Sequence, residues 1–261
     1  MNSNSNPSWL TEVAILRDVL SQLLSSEDSL PGTVQPRCPV VSFEGICGTG
    51  KSTQLERCRQ ELQLKGLLVE TLELPNYDTT DVSALMKVLY KDKAGFAFVE
   101  EHLPWLNPAF ISVDCLESLR RVDETTDVLL FSRGLLSTYV YNLPPLERNL
   151  GSRDSAFRLL DRLLTTMPTP DLVLYFDIPV DEAYRRVLKR SGTEPLRGRE
   201  TLRGLAETHD LFEWILSQRR LRDLNMVRVD AALPEHDLTQ TLIDHLVALL
   251  NERAGLRKSK G

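Results

Sequence analysis

Gly45-Ile46-Cys47-Gly48-Thr49-Gly50-Lys51-Ser52 is an unbroken G-x-x-x-x-G-K-S. An apolar run, Val40, Val41 and Phe43, precedes it, and Thr53 to Lys65 reads as a helix. Strand, glycine-rich loop and helix in that order make a phosphate-binding loop. The glycines let the backbone curl until several N–H groups face phosphate oxygens. The helix that follows adds the positive end of its dipole. Gly45, Cys47, Gly48, Thr49, Gly50, Lys51, Ser52 and Thr53 are therefore the candidate nucleotide-binding residues. Lys51 reaches the β- and γ-phosphates of a nucleoside triphosphate, and the Ser52 hydroxyl is the candidate Mg²⁺ ligand. The expected cofactors are ATP and Mg²⁺.

Outward from the loop, strand candidates at 39–43, 67–73, 127–131, 171–177 and 225–229 alternate with helical stretches. The helices fall at 50–65, 80–92, 109–122, 153–166, 180–190, 201–222 and 235–252. Mostly apolar strands alternating with helices predict an α/β fold, a three-layer sandwich around a five-stranded parallel sheet. Ligands of such sheets sit at the carboxyl ends of the strands. The second strand ends in Glu73-Leu74-Pro75-Asn76-Tyr77-Asp78 and the third in Ser132-Arg133-Gly134. The fifth ends in Val229-Asp230-Ala231. After the fourth, a helix closes on Lys189-Arg190, and a loop broken by Gly and Pro carries Arg197 and Arg199. Phosphoryl transfer is catalysed by positioning and charge neutralisation, and one well-placed arginine is worth ~10³–10⁵ in rate. Arg190, Arg197 and Arg199 are thus read as a lid over the nucleotide; a solvated basic loop is the alternative.

The remaining features bound the class. The 261 residues, 42% of them hydrophobic, suit one domain with an appended segment. The appended segment is 1–36. Trp9, Leu10, Val13, Leu16, Val19, Leu20, Leu23 and Leu24 recur at helical spacing there, followed by a polar linker. That amphipathic helix, from about Ser8 to Leu24, packs on the domain's own surface or serves a homodimer contact; its polar face is not basic, so a membrane is the weakest reading. Residues 37–253 form the main domain and 254–261 a basic tail. A net charge of −6 and a pI near 5.4 argue against a nucleic-acid partner. No apolar run is long enough to span a membrane, and the N-terminus lacks the pattern of a secretory signal. The four cysteines show no metal-site spacing, which fits a reducing, cytoplasmic setting.

Phe43-Glu44-Gly45-(x)₄-Gly50-Lys51-Ser52-Thr53-Gln54 resembles the opening of thymidylate kinases. Pro170-Asp171-Leu172-Val173-Leu174-Tyr175-Phe176-Asp177 resembles their fourth strand, and Val229-Asp230-Ala231 is similar to their adenine-side loop. The likeness spans residues 38 to 252 and extends to the deoxynucleoside kinase relatives, which the run Arg133 to Tyr141 also resembles. It implies a P-loop kinase with ATP–Mg²⁺ as donor, a helical lid, and Ala231 beside the adenine. By position it assigns Arg133 to the family's strand-three arginine and Arg190, Arg197 and Arg199 to the lid.

The chain departs from that family at four points. Cys47 stands where the family usually has a loop carboxylate, and Ser132 where it has the acid before the strand-three arginine. Asn76-Tyr77-Asp78 replaces an arginine after the strand-two proline. A further family arginine aligns near Asp114 when Phe110 is matched. Pro75, Tyr77, Asp78, Phe110, Asp114 and Tyr141 are then the candidate acceptor-side residues. An anionic acceptor buried without cations is costly, so two acceptors stay open. One is a nucleoside monophosphate, dTMP first. The other is a nucleoside or a neutral or amine-bearing small molecule, with Glu73 as general base. Lys51, Arg133, Arg197, Arg199 and Glu73 form the candidate catalytic set. A non-catalytic nucleotide-binding protein is the competing class. Cys47 is read first as a small residue filling the loop and second as a redox gate, because a ring of N–H donors lowers a thiol's pKa.

Overall fold

The computed structural model describes residues 35–76, 86, 93–196 and 198–258. All of them belong to one compact unit, Thr33–Gly261. The predicted N-terminal helix, most of the predicted helix at 80–92, and Tyr77, Asp78 and Arg197 lie outside the described residues.

Five strands carry the fold: β1 (Val40–Glu44), β2 (Val69–Glu73), β3 (Val128–Ser132), β4 (Leu172–Asp177) and β5 (Met226–Asp230). They form one parallel sheet in the order β2-β3-β1-β4-β5. Each expected strand is present, displaced by one or two residues at its ends. The three central strands are mostly apolar and almost wholly buried because helices cover both faces. Val41, Phe43, Leu130, Val173, Leu174 and Phe176 are accordingly buried. The edge strands β2 and β5 carry exposed Thr71 and Glu73, and Arg228 and Asp230, between their buried residues. From β1 the chain runs to one side of the sheet, and after β3 it crosses to the other. The crevice at the end of β1 is therefore the switch point where such sheets bind ligands.

The helices are α1 (Lys51–Leu64), α2 (Lys93–His102), α3 (Leu106–Leu119), α4 (Leu135–Leu150), α5 (Arg153–Leu163), α6 (Val180–Ser191), α7 (Leu202–Leu216) and α8 (Glu235–Lys258). Two of them, α2 and α4, lie outside the helical stretches expected from periodicity. The α4 segment contains Pro144-Pro145, and proline removes a helical donor and clashes with the preceding turn. Tertiary burial overrides that cost. Leu136, Tyr139, Val140, Leu143 and Leu146 are all buried against the sheet and its neighbours. Asn142 Nδ2 also donates to the Thr138 carbonyl at 2.8 Å. Among the described residues no helix is long and apolar enough to cross a membrane.

Candidate functional site

The loop between β1 and α1 is shaped by its glycines. Gly48 has φ +84°, and a Cβ there would lie 2.3 Å from the Ala183 carbonyl oxygen of α6. Only glycine permits both that backbone and that approach. Lys51 is buried, and its Nζ donates to the Ile46 carbonyl at 2.6 Å and to Thr49 Oγ1 at 3.1 Å. Burial lowers the Lys51 pKa to about 7, and the neighbouring Arg133 charge pushes the same way. Ser52 and Thr53, in the first turn of α1, are exposed. No side chain caps that turn, so its N–H groups face outward as phosphate donors do. These features fit a nucleoside triphosphate and Mg²⁺: a curled loop, a buried lysine at its centre, and an exposed serine hydroxyl at the helix start.

Glu44, at the end of β1, escaped the sequence reading of the site. It is buried and accepts from Ser42 Oγ, from the Leu136 and Ser137 N–H groups and from Ser137 Oγ. Burial raises its pKa, with the Ser137 and Ser42 hydrogen bonds and the Lys51 charge opposing. It pins the start of α4 to β1. Gly134 fits beneath that tie, since a Cβ there would meet Ser42 Oγ at 2.5 Å. Arg133 is the one non-glycine residue with positive φ, 64°, among those described. Its side chain is thereby turned toward the phosphate loop. One Nη donates to Tyr141 Oη at 2.5 Å and the other to Cys47 Sγ at 3.4 Å.

Arg199 approaches from the segment between α6 and α7. Its guanidinium lies 4.7 Å from the Tyr141 ring centre, and Arg133 lies 5.2 Å from the same ring. It donates to the Tyr141 carbonyl at 3.1 Å and pairs with Glu100 at 3.5 Å. In a regular helix the residue-145 N–H would take that carbonyl. Residue 145 is proline, so the carbonyl is open to Arg199. The Arg199 backbone is fixed in turn: Thr201 Oγ1 donates to the Gly198 carbonyl at 2.7 Å and accepts the Gly204 N–H at 3.1 Å. Arg190 pairs with Glu200 at 2.8 Å and lies near enough to depress the Lys51 pKa.

The other expected residues sit as follows. Ala231 is buried; its N–H donates to the Asp177 carbonyl at 2.8 Å and its carbonyl accepts from Arg186 at 2.9 Å. Glu73 is the exposed last residue of β2, in register with Ser132. Pro75 follows a cis peptide bond and is half-buried, as is Phe110, which packs on the core. Asp114 is fully buried and accepts the Asn76 N–H at 2.6 Å. It ties the segment after β2 to α3. A cleft of ≈ 550 Å³ opens beside Val229 and Asp230, lined also by Asp177, Pro179, His209 and Arg228. No group of three metal-ligating side chains occurs among the described residues.

Residues 43–242 match the model of the thymidylate kinase family. A thymidylate kinase from Thermoanaerobacter sp. (strain X514) is 30% identical over 151 residues, which is 58% of this chain and 70% of the relative. The thymidylate kinase of Pelodictyon phaeoclathratiforme is 26% identical over 220 residues, 82% of this chain and 96% of the relative. In fold, the chain is similar to the thymidylate kinase of Candida albicans, with a TM-score of 0.59 at 16% identity over 82% of this chain and 93% of that one. With the family model matching residues 43–242, the chain belongs to the thymidylate kinase family and is an ATP-dependent kinase.

Proposed function

We propose that this kinase transfers the γ-phosphoryl group of ATP–Mg²⁺ to the phosphate of dTMP. The observation that supports it most is the convergence of Lys51, Arg133 and Arg199 around Tyr141 and Cys47. The loop N–H groups and Lys51 hold the β- and γ-phosphates, and Ser52 is the protein ligand for Mg²⁺. The metal, when bound, neutralises charge shared by the β- and γ-phosphate oxygens. Arg133, at the rim of the loop, and Arg199, over the Tyr141 ring, balance the anionic donor and acceptor as they meet in line. Arg190 stays at the lid's root on Glu200. The buried Asp114 is engaged by backbone, so it gives less reason to expect a cationic acceptor than its sequence position alone. Four cysteines outside any disulfide fit a reducing, cytoplasmic setting.

A neutral hydroxyl acceptor is the second reading. It rests on Glu73, exposed beside Ser132 at the carboxyl edge of β2 and β3, where a general base would stand. ADP release from ATP–Mg²⁺, measured over dTMP, other nucleoside monophosphates, deoxynucleosides and amine-bearing metabolites, separates the two. Stimulation by dTMP, lost in Lys51→Ala, is the expected result. Turnover only with neutral acceptors would transfer the assignment to the second reading, and thermal stabilisation by ATP without any turnover would make the chain a binder.

A further inference from the structure

Cys47 is the half-buried cysteine of the four; Cys38, Cys58 and Cys115 are buried. Its sulfur stands at the rim of the phosphate loop, 3.4 Å from an Nη of Arg133. The other Nη is held by Tyr141 Oη, so the guanidinium is gripped from two sides. A neutral thiol is a weak acceptor and a poor anchor for an arginine whose position decides a rate. An anion at this place would be a strong one. The local charge balance asks for it. Arg133 carries its charge beside the sulfur, and the nearby carboxylate of Glu44 is already engaged by four donors.

We propose that Cys47 acts as a thiolate that holds the Arg133 guanidinium over the phosphate loop, making it a positioning residue for phosphoryl transfer. The step is a simple ionisation: the S–H bond breaks, its proton leaves to solvent, and the electron pair stays on sulfur. Burial opposes it, but the Arg133 charge, the Arg133 hydrogen bond, the Lys51 charge and the Tyr141 hydroxyl outweigh burial and bring the thiol below its ordinary range. The same cluster raises Arg133, where Tyr141 and Cys47 overcome burial. Other charged groups facing the cluster are Glu44 from β1, Arg190 from α6 and Arg199 over the Tyr141 ring. Cys58 is pushed up to about 12 by burial, with Glu61 adding to the effect. Burial, with the Asp114 charge adding, pushes Cys115 well above the usual thiol range.

The inference rests on the proposed kinase activity for its rate prediction but not for its charge state, so two readouts are taken on the full chain. Thiolate ultraviolet absorbance is titrated first, with no nucleotide present. One thiol should ionise below the ordinary value of 9.0, vanish in Cys47→Ser, and move back up in Arg133→Met. Steady-state kinetics follow. Cys47→Ser should lower kcat by about 10–100-fold while KM for ATP changes by less than about 3-fold, the pattern of a misplaced charge. Cys47→Asp should restore most of kcat and move the acid limb of the pH profile to lower pH. A thiol titrating at or above the ordinary value, or a Cys47→Ser enzyme as fast as the parent, overturns the proposal. Should no acceptor give turnover, the proposed function fails, while the titration still decides whether the thiolate–guanidinium pair exists.

Discussion

Lys51 shows how a residue's environment decides its behaviour. Its ammonium is buried against the Ile46 carbonyl with Arg133 close by, and its pKa falls to about 7. Between pH 7 and 10.5 the unfolded chain holds a proton that the native lysine lacks, so this residue's contribution to stability rises with pH across that window. Bound phosphates favour the charged form and reverse the shift. ATP binding should then take up about one proton inside the window, and affinity should fall by up to about tenfold per pH unit above the Lys51 pKa. Calorimetry of ATP binding in buffers of different ionisation enthalpy measures the proton count. Lys51→Arg, which stays charged, should abolish most of the uptake. Glu44 belongs at this scale too. Glu44→Gln keeps the shape but sets an NH₂ against donors already aimed at the carboxylate. It should cost about 2–3 kcal/mol, read as a lower urea midpoint with an unchanged m-value. The sequence displayed Glu44 as part of a motif. It gave no sign that the residue's partners would be the first turn of α4, which lies 92 residues further on.

At the scale of elements, α4 carries the interest. Pro144 and Pro145 masked it in the sequence, because isolated propensity argues against a helix there. In the fold the missing N–H becomes a feature. It leaves the Tyr141 carbonyl without its helical donor, and Arg199 takes that place, docking the segment between α6 and α7 onto α4. Pro145→Ala returns a competing donor. The variant should be as stable as the parent or more so, yet its kcat should fall by about 3–10-fold as Arg199 loses its seat. A thermal melt and a kcat measurement on the same preparation check both halves. If kcat is unchanged while stability rises, the Arg199 contact has no part in the reaction. The lid expectation was legible from clustered arginines after the fourth strand. Which arginine reaches across the site was not, since that depends on where α2 and α4 present Glu100 and Tyr141.

At the scale of the whole molecule, the described residues from 35 onward build the kinase unit. Its core runs from Cys38 through the sheet to Leu249. The last helix is fastened to the first: Thr239 Oγ1 donates to Gln54 Oε1 at 2.7 Å, Gln54 Nε2 donates to the Glu235 carbonyl at 3.0 Å, and Arg57 pairs with Glu235 at 2.5 Å. Removing residues 1–34 should therefore leave Tm within about 3 °C and kcat within about 2-fold of the full chain. A soluble but inactive truncate, or a change in sedimentation, would show that the extension carries an interface or part of the site.

The sequence by itself determined the phosphate loop, the five strands and the α/β class. Each of these is written in local patterns: glycine spacing, apolar runs and their alternation with helices. It also named Lys51, Ser52, Arg133 and the lid group Arg190, Arg197 and Arg199. Only the tertiary structure decided what those residues touch. The Arg133 guanidinium meets a cysteine 86 residues earlier in the chain, and Arg199 meets a carbonyl 58 residues before it. Asp114, expected on the acceptor side, is buried and accepts the Asn76 N–H. Side-chain partners of this kind are fixed by the packing of separate elements around the sheet, and local sequence carries no record of that packing.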